Sequence, residues 1–551
     1  MTENQRIANL IFGNSVLPTE SYEQEYTLRN ISDEQRVTRF APSPTGYLHF
    51  GGLFTCFVNS LVAHSSNGIF YLRIEDTDSK REIEGGIKYI IDGLNHFGII
   101  PDEGYTSSDA VKGNYGPYKQ SERAHIYHSF AKKLMENGYA YPCFCTEDEL
   151  SLVRAEQQLN KEKTGYYGKY AKCRELSYEE IKQKLDSGLP YVVRLHSPGS
   201  EENKVVFDDM IKGRIEMPEN DEDIVILKSD GIPTYHFAHV VDDHLMRTTH
   251  IIRGDEWISS VPKHIQMFKL LGFKVPKYAH LSPILKEEDG NKRKLSKRKD
   301  PEAAVDYYIS QGYPKESVIE YMLTIANSTF EDWRKANKTE DISSFPFNLK
   351  KMSVSGALFD INKLNDISKN VISTFSAEKV YNNVLEYARV YDKDLFDLLS
   401  KDKEFAVKIF SIDRQNAKPR KDIAKWNEVK DYINYFYDSN FNINLPDNIT
   451  KENAVNVLSA YKDVYDENDD NQQWFEKIKS ICPQINFCPD TKTYKANPEL
   501  YQGSAGDAST VIRCAVTGRT NSPTLCDIMK VLGKDECINR IDNAIKYLKE
   551  V

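Results

Sequence analysis

The chain has 551 residues, 40% of them hydrophobic and 28% charged, a globular composition too long for one hydrophobic core. No apolar run approaches the roughly 18 residues that a membrane-spanning helix needs, and the first residues do not resemble a secretory signal. The net charge of −10 argues only weakly against nucleic acid as a partner, because phosphate binding depends on local basic patches. Nine cysteines, an odd number spread along the chain, favour reduced thiols in a cytoplasm.

The first elements of the chain alternate between strand and helix. We interpret residues 1–35 as an extension packed on or near the first domain. Residues 36–41 predict a strand that ends at a proline- and glycine-rich turn, and the apolar series from Phe50 to Val62 has helical spacing. Residues 69–76 predict a second strand, and a second helical pattern follows. This order predicts a parallel α/β sheet.

The middle of the chain interrupts that sheet. Residues 118–233 mix helical pieces with a cysteine cluster, and strand-like segments return at 223–243 and 249–257. We therefore predict a parallel sheet split by an insertion. From about residue 360 the pattern is mainly helical.

The turn after the first strand has the features of a phosphate site. His49, Gly51 and Gly52 stand at the start of the predicted helix, whose free N–H groups suit an anion, and glycine lets a ligand approach the backbone. A tight strand-to-helix turn without function explains the same residues equally well. The sequence contains no P-loop, and no GxGxxG follows a strand.

Two further groups of residues fall on the same predicted rim. Glu75 and Asp76 end the second strand, and parallel strands carry their carboxyl ends to one edge of a sheet. The sequence KLSKR at 294–298 adds two lysines within Lys292–Lys299, where six of eight residues are basic. Clustered lysines suit a polyphosphate, and a solvated basic loop is the alternative interpretation.

Five segments in this order resemble class I glutamyl-tRNA synthetases of the bacterial type. They are RFAPSPTGYLHFGG, LRIEDTD, IPTYHFAHVVDDH, IIRGDEW and KLSKR, and they run from about Val37 to about Arg298. The sequence at 512–533 also resembles the end of these enzymes. The resemblance implies an α/β fold, in which a Rossmann-like parallel-sheet catalytic domain is split by an acceptor-binding insertion and followed by mainly α-helical C-terminal domains.

The resemblance also implies a division of the chain into six segments. They are an N-terminal extension, the first half of the Rossmann catalytic domain, the acceptor-end-binding insertion, the second half of the catalytic domain, a stem-contact domain with the KLSKR loop, and a helical anticodon-binding domain. Their predicted bounds are 1–35, 36–120, 121–233, 234–290, 291–375 and 376–551.

The implied reaction is the ATP-dependent attachment of L-glutamate to tRNA-Glu. Glutamate attacks the α-phosphorus of ATP, pyrophosphate leaves, and the glutamyl-adenylate then passes its acyl group to the tRNA with release of AMP. ATP and Mg²⁺ would be required, since placing the groups and neutralising phosphate charge is the main task of such a site. We expect a monomer in the cytoplasm that binds tRNA-Glu and L-glutamate and does not bind a membrane.

The resemblance assigns roles to individual residues. Catalysis is expected of His49, Lys294 and Lys297. ATP contacts are expected of His49, Gly51, Gly52, Glu256, Lys294, Leu295 and Lys297. Glutamate contacts are expected of Arg39, Ala41, Ser43, Glu75, Tyr235 and Arg253. The two arginines suit a substrate with two carboxylates, and Glu75 would face its ammonium group.

Two positions depart from the family pattern. His239 stands where many relatives have asparagine, and Leu53-Phe54 stands where the commonest form has Ala-Arg. His239 also belongs to a group with His236, His244 and two aspartates that could suggest a metal site. If 234–241 is a strand, His236 and His239 point to opposite faces, which disfavours joint ligation.

Three cysteines form a second group of potential metal ligands. Cys143, Cys145 and Cys173, with Tyr170 taken as fourth ligand from three nearby tyrosines, resemble a zinc element of some glutamyl-type synthetases at 143–173. Three buried free thiols are the alternative interpretation.

Other functions fit the sequence less well. Glutaminyl-tRNA synthetases usually keep His-x-Gly-His and carry β-barrel anticodon domains, and the shorter relative that glutamylates a tRNA base lacks C-terminal domains. A non-catalytic relative is disfavoured because His49, Lys294 and Lys297 are all present, and a zinc hydrolase because there is no HExxH. For tRNA we expect a basic face formed by the KLSKR region, Arg123 and residues 413–421.

Overall fold

The computed structural model describes most of the chain as two compact units. The described residues are 1–78, 82–107, 109–439 and 441–550. The first unit consists of Met1–Tyr307 and Ile319–Asp360. The second consists of Tyr308–Val318 and Ile361–Val551.

The N-terminal extension is helical and is part of the first unit. Its helices are α1 (Glu3–Phe12) and α2 (Thr19–Glu25). Ile7 and Ala8 of α1 are buried in the same apolar core as Tyr127 and Phe130. Thr2 begins α1 through a capping box with Gln5, which explains a helix in a segment with little periodicity.

A four-stranded sheet follows the extension. Its strands and the helices between them are β1 (Val37–Phe40), α3 (Phe50–His64), β2 (Ile69–Leu72), α4 (Gly86–His96), β3 (Glu103–Tyr105) and β4 (Val111–Lys112). The strand order is β1-β2-β3-β4, with the first three strands parallel and β4 antiparallel. The predicted order of strand, helix, strand and helix is confirmed, and the carboxyl ends of β1 and β2 meet at one edge.

The region predicted as an insertion contributes strands to two sheets. Its elements are α5 (Ala124–Glu136), β5 (Ala140–Cys143), α6 (Glu147–Leu159), α7 (Tyr178–Asp186), β6 (Val192–Leu195), β7 (Lys204–Asp209), β8 (Gly213–Pro218) and β9 (Val225–Leu227). Strands β5, β6 and β9 form an antiparallel sheet. The β7–β8 hairpin instead joins the sheet that follows.

The second half of the catalytic region and the segment after it follow the insertion. Its elements are α8 (Tyr235–Leu245), β10 (His250–Gly254), α9 (Val261–Leu270), β11 (Lys277–Leu281), β12 (Ile284–Glu288), β13 (Asn291–Lys294), α10 (Val305–Gln311), α11 (Lys315–Ala326), α12 (Phe330–Ala336) and β14 (Ala357–Leu358). One sheet has the order β10-β11-β7-β8 and another β13-β12-β14. The β12–β13 hairpin carries KLSKR at its end.

The strand predicted across 234–241 is wrong. Only Val225–Leu227 is a strand, and 235–245 is helix α8. Most residues of this helix are buried, Asp242 and Asp243 among them, and a short buried run cannot be told from a strand by periodicity. His236 and His239 are therefore one helical turn apart rather than on opposite faces.

The second unit is helical around one apolar core, as predicted for the C-terminal part. Its remaining helices are α13 (Ile361–Ser373), α14 (Ala377–Tyr391), α15 (Lys393–Lys401), α16 (Lys403–Ser411), α17 (Val429–Tyr437), α18 (Lys451–Val464), α19 (Asn471–Ile481), α20 (Thr491–Ala496), α21 (Ala505–Thr517), α22 (Leu525–Leu532) and α23 (Lys534–Glu550). None of the helices in the described part of the chain is long and apolar enough to cross a membrane.

Candidate active site

The turn between β1 and α3 presents a helix N-terminus. His49 is the N-cap of α3, and its Nδ1 accepts a hydrogen bond from the backbone N–H of Gly52 at 2.8 Å. A Cβ atom at Gly51 would lie 3.1 Å from that nitrogen, so glycine makes room for the ring. The remaining first-turn N–H groups of α3 have the arrangement that binds anions.

The KLSKR loop lies against this turn. The Nζ of Lys297 donates to the backbone oxygen of Tyr47, two residues before His49. Asp300 holds the loop in place, because it accepts from the backbone N–H of Ser296 at 2.9 Å and from both terminal nitrogens of Arg293 at 2.6 and 2.7 Å. The structure thus brings the two predicted ATP signatures together.

The surroundings of His49 keep its imidazole neutral. Removal from water, followed by the positive charges of Lys297 and Lys294, lowers the pKa of His49 to about 4, against the smaller effect of Glu256. Partial removal from water also lowers the pKa of Lys297, although its side chain is exposed overall. His49 is therefore neutral near pH 7, with Nδ1 occupied by the helix cap and Nε2–H free to donate. Leu295 contributes its backbone N–H to the oxygen of Ile284 at 2.9 Å.

Arg39 and Glu75, at the ends of β1 and β2, are both engaged in buried ion pairs. The Nε of Arg39 donates to both carboxylate oxygens of Asp243 at 3.2 Å. Arg73 joins the two ends, donating to Asp243 at 2.7 Å and to Glu75 at 3.0 Å. Burial raises the pKa of Glu75, whereas in Asp243 the nearby Arg39 and Arg73 outweigh burial and hold its pKa well below the usual value.

Arg253 differs from Arg39 because its hydrogen-bond partners are all neutral. Its Nε donates to His280 at 3.2 Å, and its terminal nitrogens make long contacts of 3.3–3.4 Å. Those contacts reach the hydroxyl of Tyr235, the Nδ1 of His264 and the backbone oxygen of Trp257. Arg253 is only 6% exposed, so a cation is buried here without a carboxylate partner among the described residues.

The remaining predicted site residues follow β1 or β10 or stand on α8. Ala41 is half-buried and Ser43 exposed, both just beyond the end of β1. The Tyr235 ring lies 4.3 Å from that of Trp257 and is stacked on His239. Glu256 follows β10 in a short 3-10 helix.

Sequence reasoning missed several residues of this site. Arg73, His264 and His280 are fully buried there, and Asp243 was predicted only as one of two aspartates in a possible metal site. Arg73 and Asp243 stand inside LRIEDTD and IPTYHFAHVVDDH, which offered a signal, whereas His264 and His280 stand outside every quoted motif.

The histidines near α8 pair with other residues. Nδ1 of His236 lies 3.0 Å from Nε2 of His264, and His244 binds Glu23 at 2.5 Å. Nδ1 of His239 lies 2.9 Å from a carboxylate oxygen of Asp243. Within the described ranges, these side chains do not form a compact set of metal ligands.

The three cysteines do form such a set. The sulfur atoms of Cys143, Cys145 and Cys173 lie within 4.8 Å of one another. The hydroxyl of Tyr166 is 3.5 Å from Cys143 Sγ and 3.2 Å from Cys145 Sγ, while Tyr170 donates to Glu162 at 2.7 Å. Hydrogen bonds from the other two thiols lower the pKa of Cys143. The structure thus places Tyr166, and not Tyr170, beside the sulfurs.

Comparison with known proteins identifies the family. The model of the catalytic domain of class I tRNA synthetases (E and Q) matches residues 35–366, and that of an anticodon-binding domain matches residues 501–545. The glutamate–tRNA ligase of Clostridium beijerinckii is 47% identical over 545 residues, which are 98% of this chain and 99% of that protein. This chain belongs to the glutamate–tRNA ligase family.

Other family members agree with this assignment. A glutamate–tRNA ligase of Clostridium perfringens (strain 13 / Type A) is 48% identical over 98% of this chain and 100% of its own length. The crystal structure of a glutamate tRNA ligase from Elizabethkingia meningosepticum, in complex with its amino acid, is 27% identical, with a TM-score of 0.73 over 94% of this chain and 100% of that chain. The predicted class I fold, with its Rossmann-like parallel sheets, is confirmed for this glutamate–tRNA ligase family member.

Proposed function

We propose that this chain attaches L-glutamate to tRNA-Glu by way of a glutamyl-adenylate, with ATP converted to AMP and pyrophosphate. Family membership supports this reaction. The structural observation that carries it is Arg253, a buried cation whose hydrogen-bond partners are neutral, beside a phosphate-type turn that contacts the KLSKR loop.

Glutamate is held at the ends of β1, β2 and β10 in this proposal. The guanidinium of Arg253 binds one carboxylate and exchanges its long contacts for shorter, charge-assisted hydrogen bonds. Arg39, anchored by Asp243, faces the other carboxylate, and Glu75 faces the ammonium group. Ala41 and Ser43 line the backbone beside the substrate, and Tyr235 lines it from α8.

ATP occupies the N-terminus of α3. His49, Gly51 and Gly52 cradle the phosphates, with Lys297 and Lys294 reaching them from the loop that Asp300 holds. The backbone of Leu295 and the carboxylate of Glu256 lie on the adenosine side. These groups align the α-phosphorus with the glutamate carboxylate and neutralise the charge that develops on the phosphate oxygens. Mg²⁺ supplies further neutralisation of that charge.

A tRNA is the second substrate, and the helical C-terminal part supports this partner. The anticodon-binding match at 501–545 falls on α21–α23. Of the predicted basic residues, Lys418 and Lys421 are exposed. Arg123 is fully buried and paired with Asp242 at 2.7 Å, so its predicted place on a basic face is wrong.

The cysteine cluster fits a structural zinc ion. Thiolates at this mutual distance are a preferred zinc donor set. Cys143, Cys145 and Cys173 would hold the ion, with Tyr166 as the fourth donor. Bound zinc would crosslink β5 to the 3-10 turns near residue 170 and stabilise the fold of this element.

Exchange of labelled pyrophosphate into ATP tests the proposed function. With tRNA-Glu present, we expect exchange that depends on glutamate and remains near background with aspartate. Exchange that ignores the amino acid, or that fails with glutamate in a folded sample, would contradict the proposal.

A further inference from the structure

A buried carboxylate–imidazole pair lies behind Arg253. The Nε of Arg253 donates to Nε2 of His280 at 3.2 Å, and Nδ1 of His280 lies 2.7 Å from Oδ2 of Asp209. His280 is fully buried and Asp209 is 3% exposed. The three side chains form a chain of contacts from the β7–β8 hairpin to the proposed glutamate anchor.

These contacts determine which nitrogen of His280 carries the proton. The carboxylate of Asp209 accepts, so Nδ1–H must donate to it, and Nε2 then offers its lone pair to Arg253. Burial lowers the pKa of His280, which keeps the ring neutral. The carboxylate is itself fixed by the backbone N–H groups of Ile211 and Lys212 at 3.0 and 2.9 Å.

The neutral imidazole has a consequence for the charge of Arg253. A carboxylate in direct contact would orient the guanidinium but also compensate its charge, as Asp243 does for Arg39. His280 orients the same group through one hydrogen bond and leaves the charge for a ligand. Tyr278 adds rigidity, since its ring stacks on His280 at 8° and lies 5.5 Å from the guanidinium carbon of Arg253.

We propose that His280, held by Asp209, is a positioning residue that fixes the guanidinium of Arg253 for a carboxylate of the amino-acid substrate. This inference rests on the proposed function, in which Arg253 binds that carboxylate. By this inference, Asp209 of the β7–β8 hairpin contributes to the affinity for the amino acid through His280 and Arg253.

Two substitutions of one residue separate positioning from general stability. In His280→Asn the amide takes the place of Nδ1 and still reaches Asp209, but nothing accepts from Arg253. In His280→Gln the side-chain oxygen takes the place of Nε2 and accepts from Arg253. We expect His280→Asn to raise the KM for glutamate about tenfold to hundredfold, with kcat and the KM for ATP little changed. We expect His280→Gln to restore most of the glutamate KM.

Aminoacylation kinetics of the full chain, with circular dichroism to verify folding, provide the measurement. An unchanged glutamate KM in folded His280→Asn, or an equal rise in both variants, overturns the inference. If His280→Asn does not fold, Asp209→Asn is tested instead. An asparagine at 209 permits the other tautomer of His280, whose Nε2–H points at the N–H of Arg253. An unchanged glutamate KM in Asp209→Asn also overturns the inference.

Arg253→Gln separates this inference from the proposed function. If Arg253→Gln raises the glutamate KM and His280→Asn does not, only the positioning role fails. If Arg253→Gln also leaves that KM unchanged, the proposed role of Arg253 itself fails.

Discussion

Asp243 compensates the charge of two buried guanidinium groups at the site. Its carboxylate lies 3.2 Å from Arg39 and 2.7 Å from Arg73, and none of these side chains reaches solvent appreciably. Such a network is costly to break, because removal of one partner leaves the others charged and desolvated.

Asp243→Asn should therefore destabilise the protein. We expect a loss of about 3–5 kcal/mol in the free energy of unfolding, measured by urea denaturation. The matched control is Asp92→Asn, which breaks the exposed pair with Lys88 and should cost less than about 1 kcal/mol. Equal effects of the two substitutions would show that the buried network does not carry this stability.

Lys297→Ala tests the ATP half of the site. The side chain is exposed, so stability should change little, while removal of a charge aimed at the phosphates should lower the rate of glutamate activation about 10²–10³-fold. Lys299→Ala, an exposed lysine of the same loop, is the control and should keep near-normal pyrophosphate exchange. Near-normal rates in Lys297→Ala would remove that lysine from the mechanism.

Sequence motifs predicted the polar residues at the ends of strands better than the buried residues that hold those side chains in place. Arg39, His49, Glu75 and Lys297 stand in short local patterns. Asp209 and His280 join through strand pairing between segments 71 residues apart, and no local pattern encodes that contact.

At the scale of elements, local sequence patterns also predicted some helices correctly and others wrongly. The helical series of α3 was predicted from its apolar spacing, whereas α8 was mistaken for a strand because it is apolar on several faces. The helical pattern predicted from about residue 360 gave no boundary between α14 and α15. Asp392 separates them, and its side chain accepts from the backbone N–H of Leu395 at 3.0 Å.

We expect the Asp392 N-cap to contribute measurably to the free energy of unfolding. Asp392→Ala should lower the free energy of unfolding by about 0.5–2 kcal/mol, because the first turn of α15 loses its acceptor. Asp397→Ala, which removes an exposed carboxylate inside the same helix, is the control and should be neutral or slightly stabilising. Indistinguishable midpoints in urea would argue against the cap.

We expect the cluster of Cys143, Cys145 and Cys173 to bind zinc. Metal analysis of the purified full chain should find about one zinc ion per chain, and Cys145→Ser should reduce that content. Cys488→Ser, a buried cysteine outside the cluster, should retain it. A metal-free protein with full aminoacylation activity would favour three free thiols instead.

At the scale of the whole molecule, the net charge of −10 contrasts with a nucleic-acid substrate. Composition could not predict how the charges are placed, and one predicted basic residue, Arg123, is buried in an ion-pair network. Fold class and family, by contrast, followed from the resemblance that five ordered motifs carry, and the structure places these motifs at the ends of β1 and β2, on α8, on β10 and at the end of β13.

Aminoacylation with labelled amino acids tests the central claim most directly. Purified protein would be given ATP with glutamate or glutamine, each on purified tRNA-Glu and tRNA-Gln. We predict charging of tRNA-Glu with glutamate and no charging of either tRNA with glutamine. Failure to charge tRNA-Glu with glutamate, or preferential charging with glutamine, would contradict the account.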